Sequence, residues 1–185
     1  MTYKPEEITQ YAFAPSDELL FDTNVWLFLY GPQGPKNARA AVYSQALARI
    51  LAAQSRIYID VLIVSEFINR YARLEFRLLS KSDDFKQFRK SAEFKPVARD
   101  IAADVKRVLQ HCTRVESGFE SPAIDALINE YAAGDSDFND QILTALCKGK
   151  GLKLVTDDGD FKGGEIPVVT ANQRLLSQGT HGSAP

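Results

Sequence analysis

Leu19-Leu20-Phe21-Asp22-Thr23-Asn24 decides how the chain is read: three bulky apolar residues stop at an acid, and two small polar residues follow. An apolar run this short, bounded by turn and cap chemistry, is a buried strand that delivers Asp22 to the edge of a sheet. The pattern recurs along the chain. Ile57-Tyr58-Ile59 reads as a second strand, Val115 and its neighbours as a third, Leu152-Lys153-Leu154-Val155 as a fourth and Ile166-Pro167-Val168-Val169 as a fifth. The proline predicts that this fifth strand is short and lies at a sheet edge.

Helical patterns fill the intervals. Residues 4 to 14 predict a short helix before Pro15, and Asn37 an N-cap for an Ala-rich helix to about Ala53, after a Gly/Pro loop over 31 to 35. Val61, Val64, Ile68, Tyr71, Leu74 and Leu78 carry helical spacing to about Ser80, where Lys81-Ser82-Asp83-Asp84 breaks it. A further helix runs through Val97, Ile101, Val105, Val108 and Leu109, and two more cover 122 to 132 and 138 to 149. Strands alternating with helices imply crossover connections and a mainly parallel sheet of four to five strands, layered α/β/α, with a long helical arm.

That geometry gathers four acids. In a parallel sheet every strand ends on the same edge, and ligands bind there where the strand order reverses. Asp22 ends the first strand, Glu66 lies about a turn into the helix after the second, Asp140 starts a helix and Asp158 follows the fourth strand. Each alone has a plainer explanation: an N-cap for Asp22, a solvated helix face for Glu66, a first-turn acid favoured by the dipole for Asp140, a turn residue for Asp158. All four explanations must hold together to remove the cluster. Asp137 lies one helical turn from Asp140 and is the alternative at that position. Two carboxylates about 4 Å apart repel by roughly 4 kcal/mol at an effective dielectric of 20, so the set calls for cations or protons. No basic residue stands beside the motifs as an obvious counter-charge. With 2 histidines in the chain, oxygen ligation selects Mg2+ or Mn2+ over zinc, and such ions serve phosphodiester hydrolysis.

Composition bounds the rest. The 185 residues, 45% hydrophobic, suit one domain, and the formal charge of −2 conceals a segregation. From Arg70 to Arg114 there are 12 Lys/Arg against 6 Asp/Glu, a net of +6 that leaves −8 for the remainder. Within this basic arm, about 70 to 111, Arg70, Arg73, Arg77, Lys81, Arg89 and Lys90 are interleaved with Tyr71, Phe76, Phe85, Phe88 and Phe94, a mixture suited to phosphates and stacked bases. A solvated face with its aromatics in the core or a dimer contact fits equally well, and an acidic protein partner could use the same surface. Cys112 and Cys147 lack metal-knuckle spacing and read as buried thiols. No apolar stretch approaches the length of a membrane span, and the expectation is a cytoplasmic protein without a membrane partner. No Walker loop, nucleophile elbow or dinucleotide fingerprint occurs.

The ordered motifs Leu19 to Asn24, Val64-Ser65-Glu66, Asn139-Asp140-Gln141-Ile142-Leu143-Thr144-Ala145 and Leu154 to Phe161 resemble those of a PIN domain, the fold of VapC-type toxin ribonucleases. The resemblance implies a Mg2+- or Mn2+-dependent endoribonuclease whose acidic site is Asp22, Glu66, Asp140 and Asp158. Asp160 would be a further metal ligand, with Thr23, Asn24, Ser65 and Thr156 as the supporting polar residues. It also implies an RNA substrate and an antitoxin partner, while the apolar content of the arm suggests a homodimer. On this reading residues 1–18 are an N-terminal extension, 19–172 the PIN-like domain and 173–185 a tail. Two rivals remain: a PIN-like module that binds RNA or protein without cutting, and a haloacid-dehalogenase-like phosphatase with Asp22 as nucleophile. The latter wants a second acid two residues on, where Asn24 stands.

Overall fold

The computed structural model describes residues 2–32, 37–79, 84–120, 123–134, 137–159, 161 and 164–178. Lys81 and Asp160 lie outside the described residues. The strands are β1 Glu6–Glu7, β2 Glu18–Phe21, β3 Arg56–Ile59, β4 Cys112–Arg114, β5 Lys153–Val155 and β6 Val168–Thr170. They form a six-stranded sheet in the order β1-β6-β5-β2-β3-β4, with every pairing parallel. The strand order reverses between β2 and β5, because the chain builds outward from β2 through β3 and β4 before returning to β2's other side.

Leu19, Leu20 and Phe21 are all at 0% exposure. Successive strand side chains point to opposite faces, so complete burial of a consecutive run means that both faces of β2 are covered, as in an α/β/α sandwich. The helices are α1 Thr23–Tyr30, α2 Ala38–Ala52, α3 Val61–Leu79, α4 Phe85–Phe88, α5 Phe94–Gln110, α6 Ile124–Ala132, α7 Phe138–Lys150 and α8 Gln173–Gln178. Helix α1 packs on α2, α3 and α5, and α6 packs on α7. Asn37 caps α2 as expected, accepting from the backbone N–H groups of Arg39 and Ala40. Gly151 closes α7 at φ 68°, a left-handed conformation that glycine adopts without steric cost.

The sheet has six strands where four to five were expected, and two further expectations need correction. Residues 4 to 14 are not a helix: Glu6–Glu7 is a strand paired with β6, and the buried Ile8 continues the pairing through its N–H to the Thr170 carbonyl at 2.8 Å. In consequence the fifth expected strand, β6, is not at an edge. Pro167 stands just before it, where its carbonyl still accepts from Leu154 N–H, so the missing proline N–H costs no ladder bond.

The helical arm is a hairpin of α3 and α5 closed by the single turn of α4. Its aromatics face inward. Phe76 meets Phe85 and Phe88 with centroids 5.4 and 5.3 Å apart, Phe88 meets Phe94 at 5.4 Å, and Tyr71 donates its hydroxyl to Asp104 at 3.1 Å. Of the two readings of the interleaved pattern, the packed one describes these rings. Arg73 lies over the Phe85 ring at 4.6 Å, and Arg73, Arg77, Arg89 and Lys90 are exposed.

Candidate active site

Asp22, Glu66, Asp140 and Asp158 line one cleft of about 800 Å³ at the carboxyl edge of the sheet, together with Asp137, Arg70 and residues of α6 and α7. The cleft opens where the strand order reverses, since Asp22 follows β2 and Asp158 follows β5.

Asp22 is 6% exposed and its carboxylate is held on both oxygens. Oδ1 accepts from Thr23 N–H at 2.6 Å; Oδ2 accepts from Thr156 Oγ1 at 2.7 Å and from Asn24 Nδ2. Asn24 is a hub between the two central strands, donating also to Thr156 Oγ1 at 3.2 Å and accepting from Asp157 N–H at 3.1 Å. Thr156 Oγ1 in turn accepts from Asp158 N–H at 3.0 Å. The position that a haloacid-dehalogenase-like site fills with an acid is therefore a hydrogen-bond bridge here.

Glu66 accepts from Thr23 Oγ1 at 3.1 Å on one oxygen and from Arg70 at 3.1 Å on the other. Arg70 is thus a counter-charge that the sequence reading missed, although its place four residues on is the spacing that pairs side chains along a helix. Asp137 caps α7, accepting from Asn139 N–H at 2.8 Å, whereas Asp140 lies within the helix's first turn. Ser65 is exposed and outside the cleft lining; its carbonyl accepts from Asn69.

The acids feel one another. Burial raises the Asp22 carboxyl to about 6 despite the Thr156 hydrogen bond, and the charges of Glu66 and Asp158 add to the rise. Asp140 is raised to about 7, by burial first and then by the charges of Asp22, Asp158, Asp137 and Glu66.

The donor chemistry fits a hard divalent cation. The carboxylates converge, and no histidine or cysteine is among the described lining residues. Among the described residues no three such side chains form a ready-made metal cage. Mg2+ is suited to that arrangement, because it keeps several waters and takes one or two carboxylates with substrate phosphates.

Several lining residues were not singled out from sequence: Glu130 on α6, and Gln141, Thr144 and Lys148 on α7. Spacing could have found two of them, since Asp140, Thr144 and Lys148 recur every four residues along one stripe of the helix. Lys148 pairs with Glu165 at 2.6 Å, and Gln141 donates to Glu130 at 3.1 Å.

Known proteins place this fold. The chain is similar to the crystal structure of VapBC2 from Rickettsia felis bound to a DNA fragment from their promoter, at 15% identity and TM-score 0.51, over 83% of this chain and 98% of that one. It is also similar to PAE2754 from Pyrobaculum aerophilum, at 19% identity and TM-score 0.49, over 92% and 94%. No curated protein sequence matches. The PIN domain model matches residues 19–164, which contain all four converging acids, and the chain belongs to the PIN domain family.

Proposed function

We propose that the chain is a Mg2+- or Mn2+-dependent endoribonuclease and the toxin of a toxin–antitoxin pair. The observation that supports this best is the mutual electrostatic stress of Asp22 and Asp140 with Glu66 and Asp158 in one cleft. Such stress is relieved by a divalent cation, which when bound neutralises phosphate charge and acidifies water. Asp22, Glu66, Asp140 and Asp158 would hold it, with Asp160 as a further candidate ligand.

The remaining roles belong to the chain's own side chains. Thr23, Asn24 and Thr156 fix the carboxylates as acceptors, so little reorganisation is needed when substrate arrives. Arg70, at the cleft, and Arg73 and Arg77, farther along α3, supply a basic path for the RNA backbone, with Arg89 and Lys90 as further cations of the arm and Lys81 a candidate from its sequence alone. The packed phenylalanines leave this path to bind by charge. Ser65 has no assigned contact with the site.

The toxin reading draws on the family and on the fold shared with VapBC2; an antitoxin would be the protein partner, and a cytoplasmic location follows from the same reading. No described helix is long and apolar enough to cross a membrane. Residues 19–172 are proposed as the catalytic domain. The test is cleavage of a panel of RNAs with Mn2+ or Mg2+. EDTA and Asp22→Asn or Asp140→Asn should each abolish it while circular dichroism is unchanged. One other reading is a module that binds RNA uncut; intact RNA retained on a filter by metal-loaded protein would establish it.

A further inference from the structure

Behind the cleft a second layer of polar contacts ties the turn that carries Asp158 to a segment beyond the family match. Tyr43, at 0% exposure on α2, places its hydroxyl 3.1 Å from the Thr156 carbonyl and 3.0 Å from Asp157 Oδ1, and accepts from Ala171 N–H at 3.1 Å. Asn172 donates through Nδ2 to the Asp157 carbonyl at 2.6 Å, and its own N–H is fixed by Thr170 Oγ1 at 2.9 Å. Arg39 pairs with Asp157 at 3.3 Å and also donates to the Ala171 carbonyl. Of two adjacent aspartates, therefore, one faces the cleft and its neighbour is fastened to α2. The packing is close: a Cβ on Gly159 would stand 3.3 Å from Asn172 Nδ2 and 3.1 Å from Arg174 Cδ.

We infer that Tyr43 and Asn172 are positioning residues that set the Thr156–Asp158 turn, and with it the Asp158 carboxylate and the Thr156 hydroxyl, for divalent-cation binding. The inference rests on the metal-dependent reading above. Its physical basis is that β5, a three-residue strand paired with β2 and β6, ends at Val155; the turn that follows takes bonds from outside the sheet, from Tyr43 on α2 and from Asn172, to fix its side chains. Residues 170 to 172 lie beyond the family match at residue 164, yet Asn172 supplies one of these bonds directly and Ala171 N–H holds the Tyr43 hydroxyl that reaches the same turn.

The experiment measures Mn2+ affinity by electron paramagnetic resonance on full-length protein, with RNA cleavage kinetics and thermal melting alongside. Tyr43→Phe removes a hydroxyl and keeps the ring stacked on Phe28 at 5.7 Å; Asn172→Ala changes a half-buried residue and serves if the first variant is poorly folded. Each should weaken Mn2+ binding by about 10-fold and lower kcat by at least as much, with KM for RNA unchanged. Tyr11→Phe is the control: it removes a hydroxyl that bonds to Asp17 and Lys153 at the other end of β2 and should lower the melting temperature alone. If Tyr43→Phe and Asn172→Ala behave like the control, losing stability at unchanged Mn2+ affinity and kcat, the inference is overturned. If the wild-type protein binds no Mn2+, the metal-dependent reading itself fails, a result distinct from the first.

Discussion

Asp17 and Asp22 stand at opposite ends of one strand, almost equally buried at 5% and 6%, and their carboxyls are driven in opposite directions. Burial raises both. At Asp17 that rise is outweighed by Lys153, which donates at 2.6 Å, by Ala14 N–H at 2.9 Å and by the Tyr11 hydroxyl at 3.0 Å, so the carboxyl lies below its usual range. At Asp22 the hydrogen bonds are as numerous, but the surrounding charges are Glu66 and Asp158, and the carboxyl rises to about 6. Both acids are hydrogen-bonded, but among the described residues a cation is bonded to Asp17 and none to Asp22. Carboxylates gathered without a cation hold their protons to higher pH, and such perturbed acids in a cleft cluster at functional sites.

The largest test of this contrast is chemical. Asp22→Asn should keep the hydrogen-bonded turn and reduce metal-dependent RNA cleavage by at least about 100-fold, since even outer-shell partners of a metal site account for 10- to 100-fold. Residual cleavage near wild type in a fluorogenic RNA assay would dissolve the distinction between the two ends. At the other end, Lys153→Met should leave cleavage chemistry alone and destabilise the fold by about 2–4 kcal/mol in urea titration, because it strands a buried carboxylate.

A smaller effect is the pH dependence of the metal-free protein. The unfolded carboxyls titrate near 4, whereas folded Asp22 and Asp140 hold their protons to about 6 and about 7. Between these limits the folded state binds more protons than the unfolded one, so stability falls as pH rises from about 4 to 7. Asp17 works in reverse: its stabilisation is present above the unfolded value and is lost as pH falls through its lowered folded one. Apo protein should therefore be more stable at pH 5 than at pH 8 by about 1–2 kcal/mol, after solvent screening at the half-buried Asp140, and should melt at a higher temperature at pH 5. Saturating Mn2+ should erase the difference, and a melting temperature flat across that range would count against the electrostatic stress.

Smallest is Arg70→Gln. An exposed i,i+4 pair contributes at most about 0.5 kcal/mol to stability. Losing its repulsion on an incoming divalent ion should tighten Mn2+ binding by about 3-fold, roughly 0.7 kcal/mol. An unchanged or weaker affinity would show that Arg70 does not compete with the ion for Glu66.

The sequence exposed the central strands and the four acids because both signals are local: an apolar run that ends at a carboxylate can be read within six residues. What it hid was set by distant partners. Glu6–Glu7 has no apolar period, and it is a strand only because β6 offers hydrogen bonds more than 160 positions away. The proline of the fifth strand suggested an edge, and only that unseen neighbour shows otherwise. The arm's aromatics looked the same whether packed or stacking, and three-dimensional adjacency alone identifies a phenylalanine cluster. Asp140 and Asp137 were likewise indistinguishable by spacing. The structure engages Asp137 as the cap of α7 and places Asp140 in the combined field of the other acids.

The strand order also bears on when the cleft can exist during synthesis. Strands β2, β3 and β4 pair side by side and are complete once Arg114 has left the ribosome, but the free edge of β2, where Asp22 waits, must remain open until Val155 emerges. At ribosomal speeds this interval lasts about 2–8 s. Through it the nascent chain carries Asp22 and Glu66 without Asp158, so the acidic cluster cannot close beside the translating message until most of the domain has been made.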